Sequence, residues 1–170
     1  MEFKVNDMFC NTNDTISISN SIGTYNVVKY EKLKENAKVP TFGTPDSAGA
    51  DLYACIDEAV IIPPGECRVI GTGLAIESPK GYFGGIFARS GTSIKEGLRP
   101  ANCIGVCDTD YRGEYLVALY NDSNEARVVE PGDRIAQLIF VQCLTEVKFF
   151  ESKLSDTKRG DGGLGSTGKK

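Results

Sequence analysis

The sequence contains no histidine among its 170 residues. A general base that works near neutral pH must therefore be a carboxylate, a lysine, a tyrosine or a metal-bound water. Catalysis by Ser-His-Asp or Cys-His arrangements is excluded, because both need an imidazole to accept the proton of the nucleophile.

The sequence also lacks any apolar run close to the roughly 20 residues that a membrane-spanning helix needs, so we expect no membrane partner. Its first residues, MEFKVNDMFCNTNDTISISN, contain neither a basic start nor an apolar core, and we expect no signal peptide. Basic residues are not in excess, since 19 Lys and Arg face 23 Asp and Glu, for a net charge of -4. This balance argues against nucleic acid as a partner but leaves room for one local phosphate site.

The cysteines lack the spacing of metal ligands, because no two of them form a Cys-x-x-Cys pair and no histidine can complete a zinc site. Most of them lie in apolar runs such as LYACI and FVQCL. We interpret them as small buried hydrophobic residues of a protein in a reducing cytoplasm, or in the host-cell cytoplasm or nucleus if the chain is viral. The six are Cys10, Cys55, Cys67, Cys103, Cys107 and Cys143.

Short apolar or alternating runs recur from about residue 24 onward, rich in Val, Ile, Tyr and Phe and separated by Pro, Gly and Asn turns. This spacing predicts a single all-β domain, a sandwich or a barrel. The one helix-like stretch is SGTSIKEGL, where Ser93 and Glu96 resemble a capping box and Gly97 could end the helix. We divide the chain into an appendage of unknown role (1–23), the β domain (24–153) and a glycine-rich arm (154–170).

The end of the sequence, RGDGGLGSTGKK, matches a dinucleotide-binding fingerprint and most of a P-loop. Both motifs need a following helix, yet only two residues follow Gly168, and Lys170 stands where a P-loop needs Ser or Thr. The glycines could form an anion-binding nest for a triphosphate. An arm ordered by its ligand and a solvated, mobile tail both remain open at this point.

Two internal segments carry candidate chemistry. FARSGTS places Arg89, Ser90 and Gly91 between an apolar strand and a short helix, which suits a phosphate. CDTDYRGE places Asp108 in a turn between two strands, where it is either an ordinary hairpin residue or a carboxylate that orients a water.

Two further polar residues are candidates for the site, but each also has an ordinary structural explanation. Asp51 lies at the entry to a strand, where it could be a simple cap. Gln137 lies within an apolar strand, where its amide could be satisfied by backbone groups.

The segments AGADL, ARSGTS, GVCDTDYRGE, DRIAQLIF and RGDGGLGSTG occur in this order, and together they resemble the five motifs of the homotrimeric dUTPase family over residues 25–168. The resemblance implies a jelly-roll-like β-barrel with one short helix and a mobile C-terminal arm. It also implies a homotrimer with shared active sites, in which the arm closes over the site of a neighbouring subunit.

The activity implied by the resemblance is the hydrolysis of dUTP to dUMP and pyrophosphate, with Mg²⁺ bound to the triphosphate. This reaction limits uracil in DNA and supplies dUMP for dTMP synthesis. Asp108 matches the carboxylate that activates the attacking water, Gln137 a glutamine near the α-phosphate, and Asp51 an aspartate that supports the water shell of the metal. The matching substrate-binding positions are the phosphate turn, the uracil-reading hairpin with an aromatic under the deoxyribose, and the arm: Arg89, Ser90 and Gly91; Asn102, Gly105 and Tyr111; Arg159, Gly163, Leu164, Gly165, Ser166 and Thr167.

The sequence departs from the family pattern at two positions. Leu164 stands where a phenylalanine usually stacks on uracil, and stacking on an aromatic is worth about 1–3 kcal/mol per base. We therefore expect a weaker or slower closing of the arm in an enzyme that is still active. Cys107 stands where a branched aliphatic residue is usual and is interpreted as a tolerated core exchange.

Two other functions remain open. A dCTP deaminase-type relative would share the fold but would release ammonia from dCTP. A protein that binds a regulator on the same scaffold would give the appendage (1–23) a purpose, and its removal would abolish that binding while hydrolysis continued.

Overall fold

The computed structural model describes the backbone of residues 8–10, 16–20 and 23–164, and the side chains of residues 26–164. Strands dominate this part of the chain, and a single helical turn, α1 (Gly91–Lys95), lies among them. The strands are β1 (Met8–Cys10), β2 (Ile16–Asn20), β3 (Gly23–Val27), β4 (Tyr30–Lys32), β5 (Thr41–Phe42), β6 (Ala50–Tyr53), β7 (Val60–Ile62), β8 (Cys67–Ile76), β9 (Tyr82–Phe87), β10 (Leu98–Pro100), β11 (Gly105–Cys107), β12 (Glu114–Asn121), β13 (Arg127–Val129) and β14 (Arg134–Gln142).

Two larger sheets enclose the core. One has the strand order β10-β12-β8-β4 and the other β11-β9-β14-β6-β5, while β13 and β7 form a short pair. The strands pair antiparallel throughout the described residues. The all-β, jelly-roll-like fold expected from the sequence is confirmed, and no described helix is both long and apolar enough to cross a membrane.

Alternation of side chains along β12 shows how the sequence builds this core. Tyr115, Val117 and Leu119 are buried, whereas Leu116 between them is 46% exposed. Successive side chains of a strand point to opposite faces, so the odd-numbered residues meet the facing sheet. Burying a side chain of the size of Leu or Val contributes roughly 1.5–3 kcal/mol, which makes this row a main source of stability.

The helical turn is shorter than its sequence suggests, and its cap is different. It is a five-residue turn of π type preceded by Ser90, and the side chain of Ser90 makes no capping hydrogen bond. The predicted capping box of Ser93 and Glu96 is wrong, because Ser93 lies inside the turn and cannot cap it. The predicted end at Gly97 is confirmed, since Gly97 has a φ of 71°, which glycine adopts without strain.

The five described cysteines are free, but they are not uniformly buried. Cys55 and Cys107 are buried and Cys143 is half-buried, in line with the sequence analysis. Cys67 and Cys103 are exposed, so the expectation of burial is wrong for these two. Cys67 is the first residue of β8, pairs with Tyr120 and belongs to the exposed start of that strand. Cys103 lies in the loop before β11.

The two ends of the described chain lie outside the barrel sheets. Strands β1, β2 and β3 form their own antiparallel sheet, and β4 is the first strand that pairs with the barrel. After β14, residues 143–164 contain no strand, and the exposed fraction is 99% for Phe149 and 88% for Phe150. These two large apolar side chains therefore find no cover within the described chain.

Candidate active site

A buried carboxylate joins two arginines at one end of the five-stranded sheet. Asp51 lies on β6, and its side chain is only 7% exposed. Its Oδ1 accepts a hydrogen bond from Nε of Arg89 at 2.8 Å, and its Oδ2 accepts one from Nη1 of Arg134 at 3.2 Å. The two cations compensate a charge that would be costly to bury alone. Asp51 thus fixes both guanidinium groups at this end of the sheet.

The Arg89 side chain is also held by the helical turn. Its Nη1 lies 3.3 Å from Oγ1 of Thr92 and 3.3 Å from the carbonyl oxygen of Arg134, to both of which it donates. Arg89 is largely covered, whereas the side chain of Arg134 is 54% exposed. Both line a cavity of about 210 Å³ together with Thr92. A pair of fixed guanidinium groups beside a cavity can bind phosphate oxygens with good geometry.

Gln137 lies in the same row of residues as Asp51. The register of β14 pairs Gln137 with Asp51 on one side and with Phe87 on the other. The half-buried Gln137 amide thus shares a sheet face with the Asp51 carboxylate.

Arg134 was not singled out from the sequence, although it lies in the quoted segment DRIAQLIF. It lies three positions before Gln137, a spacing that puts residues of a regular strand on opposite faces. A bulge between Arg134 and Ala136 shifts the register, and Arg134 instead pairs with Tyr53, two residues from Asp51. The only hint in the sequence was an arginine within DRIAQ, but the sheet face on which its side chain lies depends on the bulge.

The residues after Arg89 lie at the surface. Ser90 is exposed and precedes α1. A Cβ added at Gly91 would meet no other atom within 4 Å. Packing within the described chain therefore gives no reason for glycine at this position.

The hairpin between β11 and β12 holds a second group of candidate residues. Asp108 begins the turn, and its carbonyl oxygen accepts the backbone N–H of Tyr111 at 3.1 Å. The hydroxyl of Tyr111 donates to the carbonyl oxygen of Glu114 at 3.0 Å, so the ring folds back over the hairpin. A Cβ at Gly113 would lie 2.4 Å from that hydroxyl oxygen, so only glycine leaves room for the ring. Asp108 and Tyr111 are both exposed.

The approach to this hairpin contains the other two sequence-predicted residues. The carbonyl oxygen of Asn102 accepts the N–H of Ile104 at 2.7 Å, which bends the chain before β11. Gly105 pairs with Ile86, and a Cβ at Gly105 would lie 3.0 Å from the Ile86 Cβ. The backbone at Gly105 is therefore tightly packed on one side.

A groove of about 920 Å³ runs beside the turn. Asp108, Asp110 and Arg112 line it from the hairpin, and Lys29 and Glu77 line it from the barrel. The groove shares no lining residue with the arginine cavity.

The sheet register gives the separation of the two groups. Cys107, next to Asp108, pairs with Gly84, which in turn pairs with Phe140. Phe140 lies three residues along β14 from Gln137, the partner of Asp51. At about 4.8 Å per strand and about 3.3 Å per residue, Asp51 and Cys107 lie roughly 17 Å apart along the sheet. The structure brings Asp51, Arg89 and Gln137 together but does not bring Asp108 to them within one chain.

The arm makes few contacts in the described chain. Nε of Arg159 donates to the carbonyl oxygen of Gly162 at 2.8 Å, which closes a local turn. Gly163 and Leu164 are exposed, and a Cβ at Gly163 would meet nothing within 4 Å. The predicted positions Gly165, Ser166 and Thr167 lie outside the described residues.

Two groups beneath the hairpin have shifted pKa values. Burial raises the pKa of the Cys107 thiol to about 11, and burial likewise raises the pKa of the Tyr115 phenol to about 12. The Tyr115 hydroxyl lies 3.1 Å from Oγ of Ser78. Both groups are neutral at physiological pH and belong to the core that supports the hairpin.

Candidate metal ligands in the site are carboxylate oxygens. Among the described side chains, no three His, Cys, Asp or Glu residues gather as a metal cluster. Asp108 and Asp110 face the groove, and Asp51 keeps further lone pairs beside its two arginines. Oxygen donors of this kind suit Mg²⁺, which retains several of its waters.

Comparisons with known proteins identify relatives of the chain. A family model described as dUTPase matches residues 35–168. The deoxyuridine 5'-triphosphate nucleotidohydrolase of Desulfitobacterium hafniense is 46% identical over 142 residues, which cover 83% of this chain and 94% of that protein. The protein of the same description from Hydrogenobaculum sp. is 45% identical over 141 residues, covering 82% and 96%.

Solved structures are similar in fold as well. A mutant dUTPase of Staphylococcus bacteriophage 80alpha, solved with dUpNHpp, has a TM-score of 0.74 and 30% identity, covering 85% of this chain and 99% of that one. The dUTPase of phage phi11 of S. aureus has a TM-score of 0.61 and 25% identity, covering 81% and 99%. The family model, the similar relatives and the fold lead to one conclusion: this chain belongs to the dUTPase family.

Proposed function

We propose that the protein hydrolyses dUTP to dUMP and pyrophosphate, which limits uracil in DNA and supplies dUMP for dTMP synthesis. Membership of the dUTPase family and relatives named deoxyuridine 5'-triphosphate nucleotidohydrolase support this assignment. The proposal depends on one observation, the presence of two complementary groups. The exposed carboxylate of Asp108 lies in a turn beside the groove, and the buried carboxylate of Asp51 fixes Arg89 and Arg134.

The active unit is a homotrimer whose sites are shared between chains. The separation of roughly 17 Å along the sheet supports this, because Asp108 and Arg89 of one chain would have to contact neighbouring parts of one triphosphate. A second chain can supply the missing half. The exposed Phe149 and Phe150 support the same view, since a neighbouring chain would cover them.

Asp108 holds the attacking water and accepts its proton as the water attacks the α-phosphorus in line. A carboxylate is a weak base for water, so most of the rate comes from position and from charge neutralisation. The exposed place of Asp108 at the groove supports this role, because water and a phosphate can both reach it.

The phosphate groups lie against Arg89 and the backbone that follows it at Ser90 and Gly91. Gly91 has open space at its Cβ position, which supports a close approach of phosphate to this backbone. Gln137 lies near the α-phosphate, and Arg159 reaches the γ-phosphate from the arm of another chain. Gly163 and Leu164 of the arm, with Gly165, Ser166 and Thr167 beyond the described residues, complete the enclosure.

Uracil is read by the backbone of the hairpin between Asn102 and Arg112, with Gly105 at its edge. The tight packing of Gly105 on Ile86 supports a narrow slot, in which the methyl group of thymine would clash. The ring of Tyr111 lies under the deoxyribose and leaves no room for a ribose 2'-hydroxyl.

Mg²⁺ bound to the triphosphate would neutralise part of its negative charge. Asp51 would contact the water shell of the ion through the lone pairs that its arginines leave free. Its first task is to orient Arg89 and Arg134.

The test is pyrophosphate release from each deoxynucleoside triphosphate and from UTP, in the presence of Mg²⁺. We expect release from dUTP alone. Ammonia release from dCTP would instead identify a deaminase, and silence on all substrates would overturn the assignment.

A regulator-binding role is a second candidate. Phage dUTPases, among them the similar dUTPase of Staphylococcus bacteriophage 80alpha, control transfer of virulence genes. Strands β1 to β3 lie outside the family match and could serve such a partner. Removal of residues 1–23 would abolish partner binding and spare hydrolysis if this role exists.

A further inference from the structure

The turn that carries Asp108 is short and weakly bonded by itself. Its backbone is closed by the hydrogen bond that the N–H of Tyr111 donates to the carbonyl oxygen of Asp108, at 3.1 Å. Asp108, Asp110 and Tyr111 are all exposed, so core packing does not fix them. The proposed chemistry nevertheless needs the Asp108 carboxylate in one place, since a shift of about 1 Å can cost 100-fold in rate.

Thr109 ties the tip of this turn to the barrel. Its hydroxyl donates to the carbonyl oxygen of Tyr82 at 2.7 Å, and the side chain is half-buried. Tyr82 is the first residue of β9 and pairs with Gln142 of β14. The hydroxyl of Thr109 therefore connects the residue next to Asp108 with the sheet.

Arg112 holds the same turn from the other side. Its Nη1 donates to the carbonyl oxygen of Thr109 at 2.8 Å and to that of Tyr111 at 3.0 Å. Its Nη2 lies 3.7 Å from Oε1 of Glu77, just beyond the end of β8. One guanidinium group thus spans the turn and faces a carboxylate of the barrel.

We propose that Thr109 and Arg112 are positioning residues for Asp108: the hydroxyl of one and the guanidinium of the other fix the turn so that the carboxylate meets the water. Neither needs to touch the substrate for this. The inference rests on the proposed hydrolysis of dUTP and adds two residues to it. The prediction for Thr109 is the sharper, because valine has the same shape and lacks only the hydroxyl.

The experiment compares Thr109→Val and Thr109→Ser in steady-state hydrolysis of dUTP. We expect kcat to fall about tenfold or more in Thr109→Val, because the Asp108 carboxylate moves with the turn. KM should rise by a smaller factor, because Tyr111 lies on the same turn whereas Arg89 and Gln137 do not. Thr109→Ser keeps the hydroxyl and should restore kcat to within about threefold of wild type. Arg112→Lys keeps the charge but loses the fork across two carbonyl groups, and should also lower kcat.

Thr72→Val is the matched control. The Thr72 hydroxyl also donates to a carbonyl oxygen at 2.7 Å, that of Tyr115, but within the core. Its loss should lower Tm and leave kcat unchanged, whereas Thr109→Val should lower kcat with Tm kept within a few degrees.

Three outcomes would overturn the inference: full kcat in Thr109→Val, a serine variant as slow as the valine variant, or a loss of Tm with kcat retained. If Thr109→Val does not fold, full kcat in Arg112→Lys would overturn the inference instead. A wild-type protein that releases no pyrophosphate from dUTP would overturn the proposed function itself, so the two failures are distinct.

Discussion

At the scale of single residues, Asp108 shares with Asp110 a place in a turn beside a groove, which an exposed aspartate such as Asp57 lacks. Thr109 and Arg112 donate to backbone carbonyl oxygens, and the carboxylate of Asp108 remains open to solvent. A side chain placed in this way contributes little to stability, so a variant can test the proposed chemical role without disturbing the fold.

Asp108→Asn should therefore abolish most of the turnover of dUTP while a non-hydrolysable analogue still binds. The amide cannot accept the proton of the water, and loss of a general base costs roughly 100-fold to 10,000-fold. Turnover and calorimetric binding measure the two effects separately. Asp57→Asn changes an exposed aspartate elsewhere and should leave both unchanged; turnover retained by Asp108→Asn would exclude the proposed base.

The thiol of Cys107 makes stability depend on alkaline pH. Burial raises its pKa from 9.0 to about 11, so between these values the unfolded chain loses a proton that the folded chain keeps. The free energy of unfolding is unaffected below pH 9 and falls as the pH rises through the window, by an amount on the order of 1–3 kcal/mol. Tyr115 adds a similar fall between its ordinary pKa of 10.0 and about 12.

Cys107→Val should flatten the first part of this alkaline fall. Urea denaturation of wild type and variant at a series of pH values from 8 to 11 gives the comparison. Cys67→Val, which removes an exposed thiol, should follow the wild-type curve. An identical fall in the Cys107 variant would assign the pH dependence to other groups.

At the scale of elements, the strands could be predicted and the irregularities could not. Alternation in YLVALYN specifies β12 because burial decides the face of every residue in turn. The bulge between Arg134 and Ala136 changes a face without any glycine or proline to announce it. Arg134 was missed for that reason, whereas Asp51 and Gln137 are direct partners on paired strands, where alternation alone gives the face of each side chain.

The turn after β9 shows a second kind of limit. Ser93 and Glu96 have the spacing of a capping box, but the helix begins earlier, at Gly91. Arg89 and Thr92 form a side-chain contact with each other. Arg89 is also held by Asp51, a tertiary contact that no local sequence pattern contains.

Truncation of the arm tests an element for which we propose a role at the active site of another chain. Within residues 151–164 the described hydrogen bonds join residues at most three apart, so the barrel loses little support without them. Deletion of residues 157–170 should lower kcat/KM for dUTP at least tenfold and change Tm by no more than a few degrees. A large drop in Tm would show that the segment supports the fold.

At the scale of the whole molecule, the separation of the two residue groups would make activity a property of the proposed trimer. If each site takes Asp108 from one chain and Arg89 from another, two inactive variants can complement each other. Chains of Asp108→Asn and Arg89→Gln, inactive alone, should regain activity when they are co-expressed in one trimer.

The size of the recovery can be stated in advance. With random mixing into cyclic trimers, three quarters of the trimers are mixed and each has one intact site of three, so about a quarter of wild-type activity should return. Pyrophosphate release from dUTP measures it, with each variant alone as the control. No recovery in verified mixed trimers would place both residues of a site on one chain.

The exposed pair Phe149 and Phe150 has a consequence for the life of the protein before assembly. A newly made barrel exposes this apolar segment. In the proposed trimer it would stay exposed until partner chains bind, for a time that depends on the concentration of the protein. At low abundance, chaperones and proteases would compete with the partner chains for this segment. Partner binding would then act as quality control, because it hides the two rings at the step that completes the catalytic site.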